Sequence, residues 1–258
     1  MNRVRQLEQF GQSVWLDFLS REFLGSAEFR QLLDEDGLKG MTSNPSIFEK
    51  AISHGTEYDA DIRRCVSDGC GVGTIFRHLS VRDIQIAADA LRPVYDTGHG
   101  ADGYISIEVS PYLAYDTAAS IAEARALWRE IGRPNLMVKI PGTREGIPAI
   151  RTLIGEGINI NITLLFARSR YEEVVEAFLA GLETLSSHSR PDSIASVASF
   201  FVSRIDSKVD AELENVLAHD EGARSSVESL QGKAAIANAK LAYQYFKQAF
   251  AGERWEKL

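Results

Sequence analysis

Only two cysteines, Cys65 and Cys70, occur in the 258 residues, in a polar segment with no histidine cluster nearby. Reduced thiols are expected there, not a disulfide or a metal pair. The five histidines (His54, His78, His99, His188, His219) are scattered without metal-ligand spacing, so no metal is expected. Long apolar runs are also lacking, and none approaches the span of a membrane helix. The first residues, Met-Asn-Arg-Val-Arg-Gln-Leu-Glu, have no apolar core of a secretory leader, so a cytoplasmic location is expected. Positive charge is scarce: 28 Lys and Arg face 36 Asp and Glu, a net charge of -8. That argues against a general nucleic-acid or membrane-surface role and leaves room for a local basic pocket. Tandem repeats and low-complexity linkers are absent. What remains is ordinary globular composition, 45% hydrophobic and 25% charged, long enough for one α/β domain or two small ones.

The most informative stretch is Asn135-Leu136-Met137-Val138-Lys139-Ile140-Pro141-Gly142-Thr143. A short apolar run closed by Pro-Gly reads as a buried strand. Alternation puts Met137 and Lys139 on one side and Leu136, Val138 and Ile140 on the other. A buried ammonium is costly unless it has a task or a route to water. Desolvated lysines lose their proton more readily, and a neutral amine attacks carbonyls to form Schiff bases. The alternative is a lysine that snorkels off a strand end.

Other elements follow from pattern and punctuation. Residues 3–12 read as an amphipathic helix, 13–19 as a strand containing Asp17, 20–33 as a helix and 38–42 as a strand. Asn44 and Pro45 mark a helix start. From Pro45 to about Gly100 the pattern is helical, broken at Gly69-Cys70-Gly71-Val72-Gly73. This glycine run follows a helix and reads as a flexible joint, not a nucleotide loop. Strands are expected at 103–110, at the lysine stretch, at 158–164 and at 194–202. Helices are expected at 116–131, 143–156, 168–185, 206–217 and 232–250. Strands alternating with helices predict a parallel sheet or barrel.

Parallel strands buried between helices are usually apolar on both sides, and these are not. Trp15 and Asp17 share a face, as do Thr42 and Asn44, and Ser106 and Glu108. Asn159, Asn161 and Thr163 oppose Ile158, Ile160 and Ile162, and Ser199 pairs with Phe201. In a (β/α) barrel these polar groups, with Lys139, converge inside, towards the C-terminal mouth. An amine, two carboxylates and several amides and hydroxyls make a candidate Schiff-base site. Any one of them could equally be a hydrogen-bonded core polar group. The sequon Asn161-Ile162-Thr163 falls in a buried strand and is discarded.

Five blocks, in this order, resemble transaldolases: Gly40-Met41-Thr42-Ser43-Asn44-Pro45-Ser46, Ser106-Ile107-Glu108-Val109-Ser110, Val138-Lys139-Ile140-Pro141, Gly157 to Phe166, and Ser199-Phe200-Phe201-Val202-Ser203-Arg204-Ile205-Asp206. The resemblance covers nearly the whole chain. It implies one TIM-type (β/α) barrel domain with a helical insert between strands 2 and 3, as in the longer bacterial subgroup, some of whose members are fused to a glucose-6-phosphate isomerase. Association with such a module is therefore an expectation. It implies no cofactor, sugar-phosphate substrates, and no nucleic-acid or membrane partner. Lys139 would form the Schiff base with the C2 ketone of fructose 6-phosphate or sedoheptulose 7-phosphate. Asp17 would take the C4 hydroxyl proton, while Glu108 and Thr163 would hold a proton-shuttling water. Asn44, Asn161 and Ser199 would bind the dihydroxyacetone hydroxyls, and Arg204 the phosphate. Arg204 could instead form a surface ion pair with Asp206 or Asp210. Phe201 looks like the transaldolase choice where the related fructose-6-phosphate aldolases place a tyrosine hydroxyl.

An eight-stranded barrel needs more than the six strand–helix units counted here. The expectation is a transaldolase barrel without its last two strands, with the first and sixth strands left as edges. Rival expectations are an aldolase of the same fold and an inactive remnant.

Overall fold

The computed structural model describes residues 2–258. Its regular elements are β1 (Trp15–Leu16), α1 (Arg21–Leu24), α2 (Ala27–Asp34), β2 (Gly40–Thr42), α3 (Pro45–His54), α4 (Asp59–Ser67), α5 (Val72–Thr97), β3 (Tyr104–Glu108) and α6 (Thr117–Ile131). There follow β4 (Leu136–Pro141), α7 (Gly146–Gly155), β5 (Ile160–Leu165), α8 (Arg168–Ser186), β6 (Ser196–Phe200), α9 (Ser203–His219), α10 (Arg224–Leu230), α11 (Ala234–Ala249) and α12 (Glu253–Glu256). Short polar side chains set several helix starts. Ser20, Ser26, Asn44 and Asp116 each accept the N–H three residues on, satisfying a donor that the helix itself leaves free.

The six strands are all parallel and lie in sequence order, β1 to β6, forming a curled half-barrel with helices around it. Ile105, Ile107, Leu136, Val138, Ile140, Ile160 and Ile162 face outward and are buried beneath the helices. They pack with Ile84 and Leu91 of α5, Leu127 and Ile131 of α6, Ile150 and Leu153 of α7 and Val174 and Val175 of α8. Each such side chain contributes about 1.5–3 kcal/mol relative to exposure. No helix among the described residues is long and apolar enough to cross a membrane.

The inner face is layered. Trp15, Gly40 and Tyr104 stand in one register row, and the Trp15 ring stacks towards Tyr104 at 6.5 Å between centroids. Gly40 permits this, because a Cβ there would overlap the Trp15 indole. This aromatic layer closes the N-terminal end and leaves the polar residues above it.

A buried charge cluster docks the helical insert. From α1, the Arg21 Nε donates to Asp83 of α5 at 2.9 Å and its Nη1 to Asp61 of α4 at 2.7 Å. The Tyr58 hydroxyl donates to the other Asp83 oxygen at 2.7 Å, and the Arg21 guanidinium lies over the Tyr58 ring. Arg64 and Arg82 also bind Asp61.

The structure corrects several expected elements. Residues 5–10 form a 3₁₀ helix with no buried residue, ended by Gly11 in the left-handed region. The apolar residues Val4, Leu7 and Phe10 stay exposed, so no tertiary packing favours a longer α-helix. The strand expected over 13–19 shrinks to two ladder residues, because β1 has a neighbour on one side only and Ser20 already caps α1. The helix expected over 20–33 breaks at Gly25, where Ser26 caps a second helix. The helical stretch after Pro45 is three helices, with the glycine run joining α4 to α5. Strand β5 does not alternate cleanly. Its pairing with β6 slips between Ile162 and Leu165, and Leu164 has φ +59 and is exposed. This bulge hands the outward apolar position to Leu165, which is fully buried.

Candidate active site

The register lines up the chemistry. Glu108 of β3 is level with Lys139 of β4, and Lys139 with Asn161 of β5. All three point inward on adjacent parallel strands. Lys139 is only 7% exposed. Its Nζ donates to the Ser43 carbonyl at 3.3 Å and lies 3.7 Å from a Glu108 oxygen. Burial raises the Glu108 carboxyl above the usual range; Lys139 opposes this and the Asp17 charge adds to it. A carboxyl that holds its proton longer beside a buried amine can give and take protons near it.

Asn161, 1% exposed, links three strands. Its Nδ2 donates to the Ser106 hydroxyl at 2.9 Å, and its Oδ1 accepts from the Ser199 hydroxyl at 2.7 Å. Thr163 is buried two residues further along β5, just before the bulge. Asn44 adjoins Ser43 and spends its Oδ1 on the Ile47 N–H as the cap of α3. Asp17 lies one residue past β1, exposed, and close enough to Glu108 to act on its charge. Asn159, grouped with the polar face from its spacing, instead fastens the base of the sheet. Its Nδ2 donates to the carbonyls of Pro134 and Leu136, and its Oδ1 accepts from Ala195 N–H.

Arg204 sits at the start of α9, its guanidinium 4.7 Å from the centre of the Phe201 ring. Phe201 stacks on Phe166 at 4.9 Å, an arrangement the β5 bulge sets up by placing Leu165 and Phe166 beside β6. The alternative ion pairs of Arg204 do not form. Asp206 accepts from Ala235 N–H and Asp210 from Gly232 N–H, which anchors α11 to α9. Arg204 instead lines a pocket of about 470 Å³ with Phe166, Lys208 and Val209. A larger apolar cavity, about 970 Å³, lies away from Lys139, between the outer face of β6 and the helices α8 and α11.

The family model for transaldolase/fructose-6-phosphate aldolase matches residues 14–255. The chain belongs to this family. It is 47% identical over 261 residues to transaldolase 2 of Nostoc punctiforme, covering 100% of this chain and 68% of that protein. It is 46% identical over 260 residues to the transaldolase of Trichodesmium erythraeum, with the same coverage. The Thermobifida fusca transaldolase is 46% identical over 256 residues, 99% of this chain and 68% of that protein.

Two features of this transaldolase-family site escaped the sequence reading. Ser43 carries no expected role from the sequence, yet its carbonyl accepts from Lys139 and its hydroxyl donates to the Ser106 carbonyl at 2.7 Å. A backbone acceptor leaves no mark in side-chain pattern. Ser106 belongs to the expected polar face, but its link through Asn161 of β5 to Ser199 joins β3 to β6, which spacing within one strand cannot show.

Proposed function

We propose that this chain works as a transaldolase with Lys139 as the Schiff-base residue. The observation that carries the reading is the row of Glu108, Lys139 and Asn161 on the inner face of strands β3 to β5, whose outward residues are apolar. A structural core has no use for a buried amine level with a carboxyl whose proton affinity is raised. Lys139 Nζ attacks the C2 carbonyl of fructose 6-phosphate or sedoheptulose 7-phosphate, and loss of water gives the imine. Asp17 takes the C4 hydroxyl proton, the C3–C4 bond breaks, and its electron pair moves into the protonated imine. The aldose phosphate leaves. The retained three-carbon unit, held by Asn44, Asn161 and Ser199, adds to the aldehyde of an incoming aldose phosphate, glyceraldehyde 3-phosphate or erythrose 4-phosphate. Glu108 and Thr163 hold the water that moves protons as the imine forms and hydrolyses. Arg204, with no carboxylate partner among the described residues, takes the sugar phosphate. The resemblance also supports a cytoplasmic setting and a glucose-6-phosphate isomerase partner that would supply fructose 6-phosphate; co-purification of isomerase activity tests the partner.

The family description also names an aldolase activity, so release of free dihydroxyacetone is the second reading. Phe201 supports transfer, because it presents a ring and no hydroxyl where the aldolases are expected to have a tyrosine. Incubation with fructose 6-phosphate and erythrose 4-phosphate separates the two. Formation of sedoheptulose 7-phosphate and glyceraldehyde 3-phosphate supports transfer. Free dihydroxyacetone without an acceptor indicates the aldolase, and neither product refutes both.

A further inference from the structure

Outside the lysine site, two cysteines meet at the joint between α4 and α5. Helix α4 ends in a Schellman motif. The Cys70 N–H donates to the Cys65 carbonyl at 2.9 Å, and the Gly69 N–H to the Val66 carbonyl at 3.1 Å. Gly69 takes the left-handed conformation, φ +76, that this motif requires. Such a motif characteristically brings its third-last helical residue against the second residue beyond the cap. Here both are cysteines. The backbone bond from Cys70 to Cys65 holds the two residues side by side, Cys70 is near enough to act on the Cys65 thiol, and both are free. Cys65 is buried and Cys70 partly exposed. Burial pushes the Cys65 thiol up, and Cys70 adds to it. The sequence signal is Cys-x-x-x-Gly-Cys at a helix end.

We propose that Cys65 and Cys70 are a disulfide-forming pair that responds to peroxides. The exposed sulfur reacts first. Cys70, as its thiolate, attacks a peroxide oxygen; the O–O bond breaks, giving the sulfenic acid and hydroxide, which is protonated to water. The Cys65 sulfur then attacks the Cys70 sulfur, the S–O bond breaks, and a second water leaves with the Cys65 proton. Overall two thiols and one hydrogen peroxide give one disulfide and two waters. Cys65, shielded from solvent, acts as the resolving sulfur and protects Cys70 from further oxidation.

The test treats the folded 258-residue chain with hydrogen peroxide, blocks remaining thiols with iodoacetamide and reads intact mass and a peptide map. The expected result is loss of two hydrogens, no alkylation, a link joining Cys65 to Cys70 and full reversal by dithiothreitol. The folded chain should form the link several-fold faster than the urea-unfolded chain. Cys65→Ser should leave a Cys70 sulfenic acid that dimedone captures, and Cys70→Ser should leave Cys65 unreacted. Sulfinic or sulfonic acid on Cys70 with Cys65 still alkylated would overturn the proposal. So would a link between chains, or equal rates in folded and unfolded protein. None of these readouts depends on catalytic activity.

Discussion

Replacing Asn161 with alanine tests whether the polar interior of the sheet is one connected network. Asn161 is 1% exposed and makes two side-chain hydrogen bonds, to Ser106 at 2.9 Å and from Ser199 at 2.7 Å. Each lost bond is worth about 1 kcal/mol net. The two partners fare differently. Ser199 is half-buried and its hydroxyl can turn to water, whereas Ser106 is fully buried and would lose its donor. An unsatisfied buried group costs about 1–3 kcal/mol. The total expected loss is therefore about 2–4 kcal/mol, a large share of a stability of about 5–15 kcal/mol. Urea unfolding followed by far-ultraviolet circular dichroism measures it. Ser199→Ala should cost only about 1 kcal/mol. The double mutant should fall short of the sum by about 0.5–1.5 kcal/mol, because one bond is counted in both single changes. Tyr58→Phe, in the helical insert, is the control and should add to Ser199→Ala within about 0.5 kcal/mol. A loss below about 0.5 kcal/mol for Asn161→Ala, or strict additivity with Ser199→Ala, would refute the network.

Glu108→Gln should flatten part of the pH dependence of stability. The folded-state carboxyl is raised above its ordinary 4.5, so on raising the pH the unfolded chain loses this proton first and wild-type stability falls. The stability of Glu108→Gln relative to wild type should therefore rise from about pH 4.5 through the folded-state value and then level off; a difference that falls with pH contradicts the sign. Asp83→Ala should destabilise by about 2–4 kcal/mol in urea unfolding, since the Arg21 Nε and the buried Tyr58 hydroxyl lose their acceptor while Arg21 keeps Asp61, and Tyr58→Phe by about 1–3 kcal/mol. Equal small effects would mean the insert is held by apolar contact alone. Gly40→Ala should cost about 1–3 kcal/mol and shift tryptophan fluorescence, because its Cβ must displace the Trp15 ring; an unchanged spectrum would contradict that packing.

The sequence reveals much of this architecture because the outer and inner faces of each strand differ in chemistry. The isoleucines of β3 and β5 name the outer face, and Glu108, Lys139 and Asn161 the inner one. Strand order follows once helices separate the strands. Where reading fails, tertiary contacts decide. Alternation over 158–164 looks unbroken, yet Leu164 turns left-handed so that Leu165 can be buried and Phe166 can meet Phe201. A bulge of this kind is set by the neighbouring strand, not by local propensity. The Arg21–Asp83 pair spans 62 residues, so no local pattern announces it. The Ser43 carbonyl that meets Lys139 is common to every residue type. The glycine run is legible as a joint, but its detail, a helix cap whose backbone bond joins Cys70 to Cys65, appears only with the hydrogen bonds drawn.

The most direct test is borohydride trapping of the folded chain with fructose 6-phosphate, read by intact mass and peptide mapping. The expected result is a reduced dihydroxyacetone adduct on Lys139, absent from Lys139→Met with its fold retained by circular dichroism. No adduct on a folded wild-type chain, or an adduct on another lysine, would contradict the assignment of Lys139 as the Schiff-base residue.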